Sequence, residues 1–231
     1  NVDVKFKSNF VEFLKKAKDL RKDQSYFLYM ITSEQLEHIL FPLGDYTKSE
    51  IREIARKHDL VNANRPESQD ICFVPHTSYK TFVKPRLPED DYSGDICDLS
   101  GQKLGEHSGT YQFTIGQRKG LNISAERPLY VLKIDPYTRT VSVGDKDDLQ
   151  RSRFLVHSFT EINKEGIGVG KSYDLRTRYQ MSSIKAKVLG FGNGDLDIEL
   201  SVPQNDLAPG QSAVLYDGDR VIGGGIIQHF K

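Results

Sequence analysis

The last third of the chain is a series of short apolar stretches separated by turn residues, and this pattern constrains the fold most strongly. The stretches between residues 153 and 228 have the length of strands and are too short for most helices. Gly194-Asp195 and Asp217-Gly218 lie between two pairs of them and predict hairpin turns. The series therefore predicts a small antiparallel β-barrel. The predicted strands are Phe154–Phe159, Ser172–Tyr179, Ile184–Leu189, Leu196–Leu200, Ala213–Tyr216 and Val221–Gln228.

The chain before the barrel has two different characters. Residues 1–60 carry helical patterns of apolar residues. After Pro66, glycine, proline, serine and aspartate become frequent, and the short apolar runs Tyr130–Ile134 and Thr140–Val143 predict strands. We therefore predict an α+β chain with a helical part, a central β-rich part and a C-terminal antiparallel β-barrel.

Three helices are predicted in the helical part, each from a capping box followed by apolar residues at helical spacing. The boxes are Asn9 with Glu12, Thr32 with Gln35, and Thr47 with Glu50. The predicted buried faces are Phe6, Phe10, Phe13, Leu14 and Ala17 in the first helix, Leu36, Ile39 and Leu40 in the second, and Ile51, Ile54 and Ala55 in the third. Pro42 is expected to stop the second helix.

The charge of the chain is balanced, with 32 Lys and Arg side chains against 32 Asp and Glu. A broad electrostatic surface for nucleic acid needs clustered cations, so the balance argues against that kind of binding. No apolar run approaches the roughly 18 residues that span a bilayer, and we expect a cytoplasmic protein with no membrane partner.

Cys72 and Cys97 make no disulfide framework, and the histidine spacing predicts no metal site.

Cys72 is the first candidate for chemistry. It lies where the polar run 67–70 turns apolar, as in a loop that enters a strand. A free cysteine is most often a small buried apolar side chain. A catalytic thiol needs thiolate character, which the nearby Asp70 opposes and no adjacent cation supports. From the residues alone, a buried structural cysteine is therefore favoured.

Three further segments carry groups that suit RNA. Residues 21–24 place cations, a carboxylate and an amide in succession, which can contact phosphates and base edges. Alternation along a strand would put Arg176 and Arg178 on one face, and Tyr179 has a ring that can stack on a base. The glycines of 116–120 allow backbone to approach a phosphate. A solvated helix start, a solvated strand face and a tight turn explain the same segments as well.

A set of motifs follows one another along nearly the whole chain: Lys22–Tyr29, Phe41–Gly44, Ser68–Phe73, Gly105–His107, Thr114–Leu121, Pro209–Ala213 and Gly223–Ile227. In this order they closely resemble the tRNA-specific 2-thiouridylases. The resemblance implies an enzyme that replaces the 2-oxygen of the wobble uridine of tRNA with sulfur. It also implies that ATP adenylates the uridine oxygen and that a cysteine persulfide delivers the sulfur.

The resemblance assigns roles to residues of this chain. Cys72 matches the persulfide-bearing cysteine, and covalent sulfur carriage splits one hard substitution into two easier steps. The implied partners are tRNA and a persulfide sulfur donor or relay protein. The implied tRNA contacts are Lys22, Asp23, Gln24, Arg178, Tyr179 and Gln211. The implied domains are the helical remainder of an α/β nucleotide-binding catalytic domain at 1–75, a central β-rich domain at 76–150 and the barrel at 151–231.

Two departures from the family pattern concern the catalytic domain. The Ser-Gly-Gly-x-Asp-Ser loop that cradles ATP phosphates does not occur here, so ATP, with Mg2+, is expected to bind a segment outside this chain. The family's other catalytic cysteine belongs to that segment, and Cys97 does not match it. The family also has further residues between Leu20 and Arg21, so we expect a truncated chain or a joined set of segments. The alternative is a non-catalytic tRNA-binding module, or a paralogue without the ATP domain.

Overall fold

The computed structural model describes residues 13–66, 79–88, 92–162 and 166–228. These residues form two units, one within 13–63, 152–202 and 209–228 and the other within 64–151 and 203–208. Short helices, a mixed sheet and a closed barrel make up the predicted α+β fold. None of the helices in the described ranges is long and apolar enough to cross a membrane.

A four-stranded sheet lies in the second unit. Its strands are β1 (Gly94–Cys97), β2 (Lys103–His107), β3 (Tyr130–Asp135) and β4 (Thr140–Gly144), in the order β2-β1-β4-β3. The pair β1 and β4 is parallel, and the pairs β1 with β2 and β3 with β4 are antiparallel. One face of the sheet buries an apolar cluster of Ile96, Leu121, Val131, Val141 and Val143. The strands predicted from the runs at 130 and 140 are confirmed.

Six strands close into a barrel in the order β10-β5-β8-β7-β6-β9, as the sequence pattern predicts. They are β5 (Arg151–Glu161), β6 (Ser172–Arg176), β7 (Ile184–Gly192), β8 (Asp195–Gln204), β9 (Ser212–Asp217) and β10 (Arg220–Ile227). Successive residues of a strand face opposite sides of a sheet, so every second residue shares a face, which is why Leu196, Ile198 and Leu200 are all buried. The turn between β7 and β8 is Asn193-Gly194, one residue earlier than predicted, and both residues have positive φ.

The capping boxes at Thr32 and Thr47 are confirmed, and they begin α1 (Ser33–Leu36) and α2 (Lys48–Lys57). A third helix, α3 (Tyr79–Val83), was not predicted. Helix α1 is much shorter than the second predicted helix, which was expected to continue as far as Pro42. After Leu36 the chain continues with hydrogen bonds to the third residue back, so the expected stripe is lost and Leu40 is exposed.

The predicted buried face of α2 is wrong for the described residues. No residue of this helix is buried, and Ile54 is 43% exposed. The helix is instead fixed at its start by Glu50, which accepts from the Thr47 amide at 2.6 Å and from Lys18 Nζ at 3.0 Å. The Thr47 amide and Lys18 together hold the pKa of Glu50 at about 2. Local capping therefore forms this helix without a buried apolar side.

The first predicted helix, which was expected to reach Ala17, is absent from residues 13–17. The earlier residues of that prediction lie outside the described ranges. Residues 13–17 are extended, and Lys15 forms a β-bridge with Arg220. The Val221 amide donates to the carbonyl of Leu14, and the Lys16 amide donates to that of Asp219, both at 2.8 Å. These bonds to the barrel use the backbone groups that a helix would need, so tertiary pairing overrides the apolar spacing.

Candidate nucleic-acid interface

The segment of Lys22, Asp23 and Gln24 is built around the carboxylate of Asp23, which is only 2% exposed. Oδ1 accepts hydrogen bonds from the amides of Ala17 and Ser25, each at 3.1 Å. Oδ2 accepts from the hydroxyl of Ser25 at 3.0 Å. A carboxylate that binds the amide two residues later forms an Asx turn. Asp23 thus fixes the backbone on both sides of Lys22.

Arg176, the last residue of β6, forms a buried ion pair with Asp23. Its Nη1 donates to Oδ2 of Asp23 at 3.1 Å, and the two side chains are 12% and 1% exposed. The guanidinium carbon lies 5.1 Å from the ring centre of Tyr216, and Lys16 Nζ lies 4.4 Å from the same centre. Burial, followed by the charge of Arg176, lowers the pKa of Lys16. The buried carboxylate therefore lies among cations that compensate its charge.

The strand that was predicted to continue to Tyr179 ends at Arg176. Arg178 and Tyr179 lie in the turn that follows, where the amide of Thr177 donates to the sulfur of Met181 at 3.1 Å. Because the chain turns here, strand alternation stops after Arg176. The prediction that strand alternation puts Arg176 and Arg178 on one face is wrong: Arg176 is directed inward and Arg178 is exposed.

Tyr26 connects the other two segments that the resemblance assigns to tRNA. Its hydroxyl lies 2.9 Å from the carbonyl oxygen of Thr177 and 3.0 Å from that of Ser212. Thr177 precedes Arg178, and Ser212 follows Gln211. Burial raises the pKa of Tyr26 to about 12, so the hydroxyl keeps its proton at neutral pH and can donate it to a carbonyl.

Tyr29 anchors the same segment on β10. Ser212 Oγ donates to the Tyr29 hydroxyl at 3.1 Å. The ring lies against Gly224, where an added Cβ would be 2.6 Å from ring atom Cδ2. Only glycine permits this approach without a shift of the ring. The buried cluster around this contact contains Leu14, Tyr26, Tyr29, Leu36, Ile162, Val214, Tyr216 and Val221.

These contacts bring the three assigned segments together on one unit, with their side chains in different environments. Lys22, Gln24 and Arg178 are exposed, whereas Tyr179 and Gln211 are half-buried. Oε1 of Gln211 is buried and has no hydrogen-bond partner among the residues that the structure describes. The surface therefore presents cations, amides and an aromatic ring, which are the groups that contact phosphates and unpaired bases in RNA.

Sequence reasoning missed the residues that assemble this surface. Arg176 bonds a residue 153 positions away, and Tyr26 bonds Ser212 across 186 positions. No local pattern reports such pairs. The one local signal was Asp23 with Ser25 two positions later, which is typical of an Asx turn. Asp23 belongs to the internal network, because the chain itself uses both of its oxygens.

The structure describes only one of the two cysteines, Cys97. Cys72 lies outside the described residues. Cys97 is a free, half-buried thiol at the end of β1. A catalytic role for Cys72 therefore stays a prediction, and Cys97 provides a matched thiol for testing it.

The glycine-rich loop 116–120 is a tight turn that uses its polar groups internally. The Gly116 amide donates to the Val131 carbonyl at 2.8 Å. The Gln117 side chain accepts from the Thr114 amide at 3.0 Å and donates to the Lys119 carbonyl at 2.9 Å. Because the amides of Gly116 and Gln117 are bonded within the chain, this turn does not present them to a phosphate. The Ser-Gly-Gly-x-Asp-Ser loop does not occur in the sequence, and an ATP site outside this chain stays a prediction.

Three family models match consecutive parts of the chain. The tRNA methyl transferase HUP domain model matches residues 2–76. The tRNA methyl transferase PRC-barrel domain model matches residues 80–145, and the aminomethyltransferase beta-barrel domain model matches residues 151–227. The last match covers the six-stranded barrel.

Curated relatives match almost the full chain. A tRNA-specific 2-thiouridylase MnmA 1 of Caldanaerobacter subterraneus subsp. tengcongensis is 43% identical over 93% of the chain and 59% of its own length. The MnmA proteins of a Picosynechococcus species and of Treponema denticola are 43% and 41% identical, over 94% and 93% of the chain and 61% and 60% of their own lengths. The chain thus spans about three fifths of the length of the relatives it matches. Three successive domain matches, together with relatives that align through all of them, place the chain in the family of the tRNA-specific 2-thiouridylases.

Proposed function

We propose that this chain contributes a tRNA-binding barrel and a sulfur-carrying Cys72 segment to an enzyme that converts the wobble uridine of tRNA to 2-thiouridine. The main support for this function is the assembly of three chain segments into one surface. The segments 22–24, 178–179 and 211, which the resemblance assigns to tRNA, are joined by buried hydrogen bonds into one surface. The relatives' printed names, tRNA-specific 2-thiouridylase, specify the base change.

The side chains on this surface supply different chemical groups for RNA binding. Lys22 and Arg178 supply exposed positive charge for phosphates. Gln24 supplies an exposed amide for base edges. Gln211 would contact a base only after its side chain turns outward, because its Oε1 is buried, without a hydrogen-bond partner among the described residues. The Asp23 carboxylate holds the segment in place from inside, and a tRNA contact of Asp23 stays a prediction. Recognition by a few placed groups suits a chain with no net charge.

The chemical part of the proposal rests on Cys72. Its thiolate would attack the outer sulfur of a persulfide donor or relay protein, so that the donor's S–S bond breaks and its thiolate leaves. Cys72 would then hold that sulfur as a persulfide until the activated uridine arrives. Activation of the uridine oxygen by ATP is assigned to the family's nucleotide-binding segment, and no described residue is given a part in it. The enzyme is expected to act in the cytoplasm, where its tRNA substrates are.

The proposal is tested with the full-length enzyme, unmodified tRNA, ATP and a persulfide donor. Nucleoside mass spectrometry should show 2-thiouridine at the wobble position. Formation of a methylated uridine instead would favour the activity named in the family-model descriptions. Binding of tRNA without any modified base, by a demonstrably folded protein, would favour the non-catalytic tRNA-binding module.

Arg178→Ala should weaken tRNA binding and lower the slope of log affinity against log salt by about one, because one phosphate contact is lost. Filter binding at several salt concentrations measures both quantities. Lys187→Ala is the matched control, since Lys187 is another exposed cation on the barrel and belongs to none of the assigned segments. An unchanged slope in Arg178→Ala would remove Arg178 from the phosphate contacts.

A further inference from the structure

Phe27 is an aromatic residue that the fold exposes although its neighbours are buried. It ends the short 3-10 helix Ser25–Phe27, and 56% of its surface is exposed. Tyr26 and Tyr29, on either side, are 7% and 4% exposed and are bonded to the barrel. The anchored tyrosines therefore fix the backbone that presents Phe27 to solvent.

The ring of Phe27 is paired with that of Tyr179. Their centres are 4.8 Å apart, and their planes are tilted by 34°. Tyr26 packs edge-on against Phe27, with ring centres 5.4 Å apart and planes at 78°. Tyr179 itself packs on the buried cluster around Tyr216. Tyr26 and the buried cluster thus hold the two paired rings in place, which reduces the conformational entropy lost when a planar ligand stacks on them.

Two polar, exposed residues, Gln24 and Arg178, lie close to this ring pair along the chain. Gln24 precedes the 3-10 helix, and Arg178 precedes Tyr179. An exposed aromatic surface beside a cation and an amide suits a group that is planar and apolar on its face and carries a phosphate at its edge. An unpaired nucleotide has that chemistry.

We propose that Phe27 and Tyr179 form a stacking platform for one unpaired base of the tRNA loop that contains the target uridine. The inference rests on the proposed function, and it adds a residue and a mode of recognition to it. Stacking is tolerant of base identity, because every base has a π-face. The platform therefore contributes affinity and positions the loop, and the amide of Gln24 discriminates among bases.

Phe27→Leu tests the platform, because leucine keeps an apolar side chain and removes the aromatic face. The probes are anticodon stem-loops with 2-aminopurine placed at one loop position at a time. Wild-type protein should quench one of these probes on binding, and the variant should lose the quenching. Its affinity for tRNA should fall about tenfold with an unchanged salt slope, since no phosphate contact is removed.

Phe191→Leu is the matched control. Phe191 is also an exposed aromatic on the barrel, 40% exposed, and it pairs with Phe159 at 5.9 Å between ring centres. It should change neither quenching nor affinity. Phe27→Trp should restore both, which separates stacking from an effect on folding. If Phe27→Leu binds tRNA and quenches every probe as wild type does, the platform is wrong and the proposed function stands. If the wild-type enzyme binds no tRNA, the proposed function fails together with the platform.

Discussion

Cys72→Ser should abolish thiolation of tRNA and leave tRNA affinity near that of the wild-type enzyme. Serine is close to cysteine in size and polarity, but it cannot carry a persulfide sulfur. The measurement is the 2-thiouridine content of tRNA after incubation of the full-length enzyme with ATP and a persulfide donor. Affinity is measured in parallel by filter binding, so that loss of chemistry is separated from loss of substrate.

Cys97→Ser is the control for this experiment. Cys97 is a free, half-buried thiol on β1, and the family pattern gives it no role. This variant should thiolate tRNA at the wild-type rate. Equal losses of thiolation and affinity in Cys72→Ser would show that Cys72 is structural, and loss of thiolation in Cys97→Ser would show that the sulfur path runs through the second unit.

Asp23→Ala should lower the free energy of unfolding by about 3–5 kcal/mol, because it leaves the guanidinium of Arg176 buried without its carboxylate. It also removes the acceptor for the amides of Ala17 and Ser25. Urea unfolding, followed by circular dichroism, measures the change. Since the same carboxylate orders the Lys22 segment, tRNA affinity should fall with stability.

The control for Asp23 is an exposed ion pair of the same unit. Asp217 lies 3.6 Å from Lys171, and their side chains are 59% and 63% exposed. Asp217→Ala should change stability little, because exposed pairs are screened by water and salt. The double variant Asp23→Leu with Arg176→Met should recover part of the lost stability, since it removes both buried charges. A small effect of Asp23→Ala would contradict the central role given to this pair.

The barrel could be predicted because its information is local. Leu196, Ile198 and Leu200 alternate with polar residues, and a period of two already specifies a strand with one buried face. The capping boxes at Thr32 and Thr47 are local in the same way, since each involves residues three positions apart. Such signals do not depend on what the rest of the chain does.

The wrong predictions concern features that the local sequence does not determine. Leu14 and Ala17 have helical spacing, but the backbone beside them pairs with Val221 and Asp219, more than 200 positions away in the sequence. Ile54 lies on an apolar stripe, yet no described residue buries it.

The candidate site shows the same division. Its exposed residues were found through the motifs that resemble the thiouridylases, whereas the residues that hold them were not. Arg176 was expected to share a face with Arg178, and its distant partner Asp23 explains why it is buried instead. Phe27 lies inside a recognised motif, but its exposure depends on how Tyr26 and Tyr29 are anchored. Sequence motifs thus identify segments, and long-range contacts decide which side chains face outward.

The hydrogen bonds of Tyr26 to Thr177 and Ser212 also bear on how this protein folds. Both carbonyl oxygens lie more than 150 positions after Tyr26, so the bonds close very long loops, which slows folding. During synthesis the Lys22 segment leaves the ribosome long before β9 exists. The proposed tRNA surface therefore needs β9 in place, and we expect a chain that lacks β9 to present only part of that surface.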